Sequence, residues 1–121
     1  MKYNTSEAQE QRVVIDYCHL RYPDVLIYHI PNGGSRDARE AHNLKLQGVV
    51  PGIPDLHIPV ARNGYHGLYI EMKRSGKGAR VSEDQKRVLA YLDKQCYKTA
   101  VCYGADEAIK IIDEYLWRDK S

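Results

Sequence analysis

Apolar and polar residues alternate with a period of two over two short stretches. Leu56, Ile58 and Val60 alternate with Asp55, His57 and Pro59, and Leu68, Ile70 and Met72 alternate with Tyr69, Glu71 and Lys73. Successive side chains of a strand point to opposite faces, so each run predicts a strand with one apolar face. Asn63-Gly64 lies between the runs and is a strong hairpin-turn signal. An antiparallel pair follows, with Ile70 and Met72 toward a core and Asp55, Glu71 and Lys73 together on the other face.

Elsewhere the spacing is helical or the runs are short. Glu7, Gln11, Val14 and Cys18 follow i, i+4, i+7, i+11 spacing, with Val13, Tyr17 and Leu20 widening the apolar stripe. This predicts a helix over 6–21, capped by Ser6 or Thr5 and followed by Pro23. Residues 25–30 read as a strand between Pro23-Asp24 and the turn Pro31-Asn32-Gly33-Gly34. Residues 37–47 read as a short helix ended by Gly48, with so few apolar positions that it packs on one side or against a second subunit. Ser82-Glu83-Asp84-Gln85 is a capping-box signature opening a helix to about residue 94, with Val88, Leu89, Tyr91 and Leu92 inward. Residues 98–103 read as a strand ended by Gly104, and 106–117 as a last amphipathic helix. Helices and strands in this mixed order predict an α/β fold, a mixed sheet flanked by helices.

The 121 residues suit one domain over 1–121, and 43% apolar content is enough for its core. No apolar run approaches the length of about 18 residues that a membrane helix needs. Residues 1–11 are polar and lack the apolar centre of a signal peptide, so the expected location is the cytosol. Cys18, Cys96 and Cys102 are odd in number, form no C-x-x-C and sit in apolar patterns, so they are expected to be buried thiols. The five histidines show no paired metal-ligand spacing. A net charge of +2 does not by itself argue for nucleic acid, but Lys73, Arg74, Lys77 and Arg80 cluster with no acid among them. Beside an acidic site, such a cluster favours phosphate.

The chemistry centres on the hairpin. Asp55 and Glu71 are expected to approach each other, and two close carboxylates repel unless a cation separates them or one takes a proton. Oxygen ligands of this kind suit Mg2+, which keeps several waters and accepts one or two carboxylates beside a phosphate. Lys73 adds a positive charge to the same face. The approach to Asp55, Val49-Val50-Pro51-Gly52-Ile53-Pro54, is stiffened by two prolines.

The order I-P-N-G-G, G-V-V-P-G-I-P-D-L, L-Y-I-E-M-K-R and S-E-D-Q resembles the VRR-NUC family of PD-(D/E)xK nucleases, in its compact standalone form, which is similar to Holliday-junction resolvases. The resemblance runs from about Ser6 to about Ile112. It implies a restriction-endonuclease-like fold, with Asp55, Glu71 and Lys73 as catalytic core and Gln85 as an accessory residue. Gln85 also has a sufficient job as a helix cap, and both roles stay open. Glu7, with Gln11 four residues on, matches the family's helix pattern and is expected to help hold Mg2+ or Mn2+, with Glu10 as the alternative. The backbone carbonyl of Met72 is a further candidate ligand. The resemblance also brings the turn with Asn32 and Arg36 near DNA, joining Arg74, Lys77 and Arg80. Tyr65 and Tyr69 are expected to pack, with contact to DNA as the alternative.

The resulting expectation is a metal-dependent, structure-specific DNA endonuclease acting on branched DNA such as Holliday junctions. A four-way junction has near two-fold symmetry, so a homodimer is expected. The rival readings are a catalytically silent DNA-binding module of the same fold, and a scaffold with the basic loop as a docking patch.

Overall fold

The computed structural model describes residues 6–31, 37–76 and 78–117. The elements run α1 (Glu7–Arg21), β1 (Tyr28–His29), α2 (Ala38–Leu46), β2 (Leu56–Ile58), β3 (Leu68–Lys73), α3 (Glu83–Lys94), β4 (Lys98–Tyr103) and α4 (Ala105–Leu116). The strands form one mixed sheet in the order β1-β2-β3-β4. The first three strands pair antiparallel, and β4 joins β3 in parallel. The architecture is α/β, as the element order predicts.

The hairpin forms as its turn signal implies. Asn63 and Gly64 both take positive φ, 54° and 85°, which suits the tight primed turns of hairpins. Leu56, Ile58, Leu68, Ile70, Met72 and Cys102 face one side and are buried there with Val14, Cys18, Ala108, Ile112 and Tyr115. That side is covered by α1 and α4, which also pack on each other. Asp113 of α4 clasps the pair by accepting from the hydroxyls of Tyr17 of α1 and of Tyr22 just past its end, at 2.8 and 2.5 Å.

Capping follows the sequence closely. Ser6 and Ser82 each cap their helix, with Gln9 and Gln85 reaching back as the third residues. Asp37 caps α2. Gly104, at φ 95°, separates β4 from α4.

Several expectations are corrected. The strand expected over 25–30 shrinks to Tyr28–His29, because Val25 donates its N–H to the Tyr22 carbonyl and spends that backbone on a turn after α1. Val13 and Leu20 do not join the core stripe; they are 51% and 85% exposed, and only Val14 and Cys18 of α1 are buried. Tyr91 faces out rather than in, because α3 packs mainly along the edge strand β4.

Cys96 is also exposed, unlike the other two cysteines. It sits in the turn from α3 to β4 at φ 68°, where its N–H reaches the Asp93 carbonyl and its carbonyl accepts from His66. A side chain in the left-handed region costs about 1–2 kcal/mol that glycine avoids. Cys96→Gly is therefore expected to stabilise the protein by about 1 kcal/mol, visible as a thermal midpoint raised by a few degrees. Among the described residues, no helix is long and apolar enough to cross a membrane.

Candidate active site

The site lies where β2 begins, β3 ends and α3 starts. Asp55 stands one residue before β2, and continuing the β2–β3 register by one pair sets it opposite Glu71. Its Oδ2 accepts the N–H of Met72 at 2.8 Å, which fixes the carboxylate against the strand. Glu71 and Lys73 share the face away from the core, as their alternation with Ile70 and Met72 predicts. A half-covered sheet would leave them solvated, yet they are only 3% and 8% exposed.

Gln85, in the first turn of α3, holds both groups. Its Oε1 accepts from the Ser82 backbone N–H and from Lys73 Nζ, each at 2.9 Å, and its Nε2 donates to Glu71 Oε2 at 2.9 Å. An N–H is only a donor, so the cap itself fixes which end of the amide faces Lys73 and which faces Glu71. The capping contact and the site contact therefore coexist in one side chain. Lys73 Nζ also lies 3.6 Å from Glu71 Oε2.

Glu71 is consequently an unusual carboxylate. Burial, then the charge of Asp55, push its pKa up to about 8; Lys73 opposes this, while the charge of Glu7 adds to it. Its Oε1 is buried with no hydrogen-bond partner. A buried, unpartnered carboxylate oxygen beside a second carboxylate is costly unless a proton or a cation sits there.

These residues fit a hard divalent cation. Among the described residues, no three or more His, Cys, Asp or Glu side chains form a closed metal cage. The carboxylates that could hold an ion are Asp55 and Glu71, with no third in such a group among the described residues. That suits Mg2+ or Mn2+, which retain water, and not a structural zinc site.

The two helix candidates separate. Glu10 is committed to protein: its carboxylate accepts from Ser75 N–H and Oγ at 3.3 and 2.7 Å and from Ala105 N–H at 2.9 Å. It thereby caps α4 and pins the start of the loop after β3. Glu7 lies exposed in the first turn of α1, near enough for its charge to act on Glu71. Nothing local signals the role of Glu10, since its partners lie 65 and 95 residues away.

Gly52 is a second feature that spacing does not reveal. At φ 94°, a Cβ there would meet the backbone C and O of Asp84 at 2.6 Å and the N of Gln85 at 2.9 Å. The loop entering Asp55 thus rests directly on the first turn of α3, the turn that carries Gln85. Gly52→Ala is expected to cost about 2–4 kcal/mol, combining backbone strain with overpacking. Gly48→Ala, at φ 101° with nothing near its Cβ, should cost only the strain, about 1–2 kcal/mol. Denaturant midpoints of the two variants check the difference.

Arg74 and Arg80 are exposed on either side of the loop after β3. Asn32, Arg36 and Lys77 lie outside the described residues. Tyr65 and Tyr69 are half-buried: Tyr69 stacks on His57 with ring centroids 4.1 Å apart, and Tyr65 packs beside Tyr115.

The model of the VRR-NUC domain matches residues 5–106. A solved structure described as a VRR_NUC domain protein superposes with a TM-score of 0.81 at 31% identity, over 95% of this chain and 91% of that one. Among curated proteins, none matches. The fold is consistent with the restriction-endonuclease-like class, and the convergence of Asp55, Glu71, Lys73 and Gln85 falls inside the matched region. The chain belongs to the VRR-NUC family, a family of nuclease-type domains.

Proposed function

We propose that this protein is a metal-dependent, structure-specific endonuclease that hydrolyses phosphodiester bonds in branched DNA such as Holliday junctions, as a homodimer in the cytosol. The observation that carries the reading is that Glu71, buried beside Asp55, keeps an Oε1 with no hydrogen-bond partner.

Asp55 and Glu71 would hold Mg2+ or Mn2+, with Glu7 and the Met72 carbonyl as further oxygen ligands. When bound, the ion polarises the scissile phosphate and lowers the pKa of an attacking water. Gln85 occupies Oε2 of Glu71 and so leaves Oε1 for the ion. Held by the same amide, the Lys73 ammonium balances the charge that develops on the phosphoryl group. Arg74, Lys77 and Arg80, with Asn32 and Arg36, bind flanking backbone. The products are a 5′-phosphate and a 3′-hydroxyl. One short basic loop offers little surface for reading bases, which favours recognition of DNA shape over sequence. Support for the dimer is that α2 buries none of its residues and leaves Leu46 73% exposed.

A labelled four-way junction, incubated with and without Mg2+, tests the proposal. Cutting only with the ion is expected. Binding without cutting in Mg2+ or Mn2+ would replace the nuclease by a silent DNA-binding module, and no binding at low salt would leave a scaffold.

A further inference from the structure

The face of the sheet that carries Glu71 carries a second row of side chains. The register places Tyr28 opposite His57 and His57 opposite Tyr69. Each strand contributes its residue two positions from the carboxylate row: His57 follows Asp55, and Tyr69 precedes Glu71. Two residues along a strand span about 6.7 Å, roughly one nucleotide step of a DNA backbone. A strand whose scissile phosphate lies at Asp55 and Glu71 therefore places one of its neighbouring nucleotides over this row, if it runs along β2 and β3.

The row is aromatic and held in place. His57 stacks on Tyr69 at 4.1 Å and 5°. Tyr97 meets Tyr69 edge-on at 5.2 Å. The hydroxyl of Tyr28 pairs with His57 Nδ1 at 2.6 Å, and their rings stand at 74°. Tyr28 keeps 41% of its surface exposed. A fixed aromatic ring with an open side is what a stacked base needs, and stacking tolerates any base.

We propose that Tyr28, braced by His57 and Tyr69, stacks an unpaired base adjacent to the scissile phosphate. The proposal rests on the nuclease reading and deepens it. A base can reach this row only where it has left its own helical stack, as at a branch point, so the row selects branched DNA over continuous duplex.

Replacing the nucleotide on either side of the scissile phosphate by an abasic residue tests this in cleavage of a junction. On one side only, the loss of the base is expected to slow the wild-type protein roughly five- to hundredfold. Tyr28→Leu should lose a similar factor on the intact junction and nothing more on the abasic one, because both changes remove the same contact. Tyr28→Phe, which keeps the ring but not the His57 bond, should stay near wild type and excludes misfolding as the cause. A second arm reads stacking without cleavage: 2-aminopurine at that position, with Ca2+ in place of Mg2+, should be quenched by the wild type and not by Tyr28→Leu. If the protein cuts junctions but neither the abasic substitution nor the fluorophore responds, the stacking proposal fails and the nuclease reading stands. If nothing is cut, the nuclease reading fails, and the quenching arm still decides whether a base docks here. Should Tyr28→Leu instead shift the DNA-free protein from dimer to monomer in sedimentation, with no abasic effect, the row is a contact between copies and the proposal is overturned.

Discussion

Glu71→Gln is expected to raise the stability of the metal-free protein while cutting DNA cleavage by roughly 10³-fold or more. The two effects share one origin. Glu71 is buried beside Asp55 with one oxygen unpartnered, so on the proposed function the fold carries a carboxylate that catalysis uses and stability does not. A glutamine of nearly the same volume keeps an oxygen for Gln85 Nε2 and turns a hydrogen-bond donor toward Asp55. The gain should be about 1–3 kcal/mol, the usual cost of an unsatisfied buried group. It should also depend on pH. In the unfolded chain Glu71 titrates near its ordinary value of 4.5, whereas in the folded protein it titrates at about 8. Between those values the folded state binds more protons, so wild-type stability falls as pH rises and levels off above about 8. The variant lacks that slope. Thermal midpoints of the two proteins should therefore diverge from pH 5 to pH 8; parallel curves would show that Glu71 is not strained.

The second large effect concerns the ion. A cation bound between Asp55 and Glu71 requires the Glu71 proton to leave, because binding and protonation compete for the same oxygens. Affinity for Mn2+ or Mg2+ should thus tighten about tenfold per pH unit below the Glu71 pKa of about 8 and become flat above it. About one proton should be released per ion at pH 6.5. Titration calorimetry in two buffers of different ionisation enthalpy reads both quantities. A pH-independent affinity with no proton release would mean that the ion binds elsewhere.

Much of this site is legible in the sequence because its parts are local. Alternation places Asp55, Glu71 and Lys73 on one face, Asn63-Gly64 closes the hairpin, and Ser82 with Gln85 opens α3; each signal spans a few residues, and the backbone obeys it. What the sequence hides depends on distant partners. Burial of Glu71 and Lys73 comes from the helix N-terminus that Gly52 receives, and no spacing rule ties Gly52 to Asp84. Glu10 looks interchangeable with Glu7 along α1, yet the two diverge because Ser75 and Ala105 fold against only one of them. Val13 and Leu20 fit a helical stripe, but α4 is too narrow a partner to cover them. Cys96 reads as a core thiol from its neighbours, while its position just past α3 demands a left-handed backbone.

The most direct measurement is anomalous diffraction from crystals of the protein grown with Mn2+ above pH 8. A manganese peak is expected within coordination distance of an Asp55 carboxylate oxygen and of Glu71 Oε1, lost in Glu71→Gln. A protein that cuts junctions with manganese bound away from both carboxylates would contradict it.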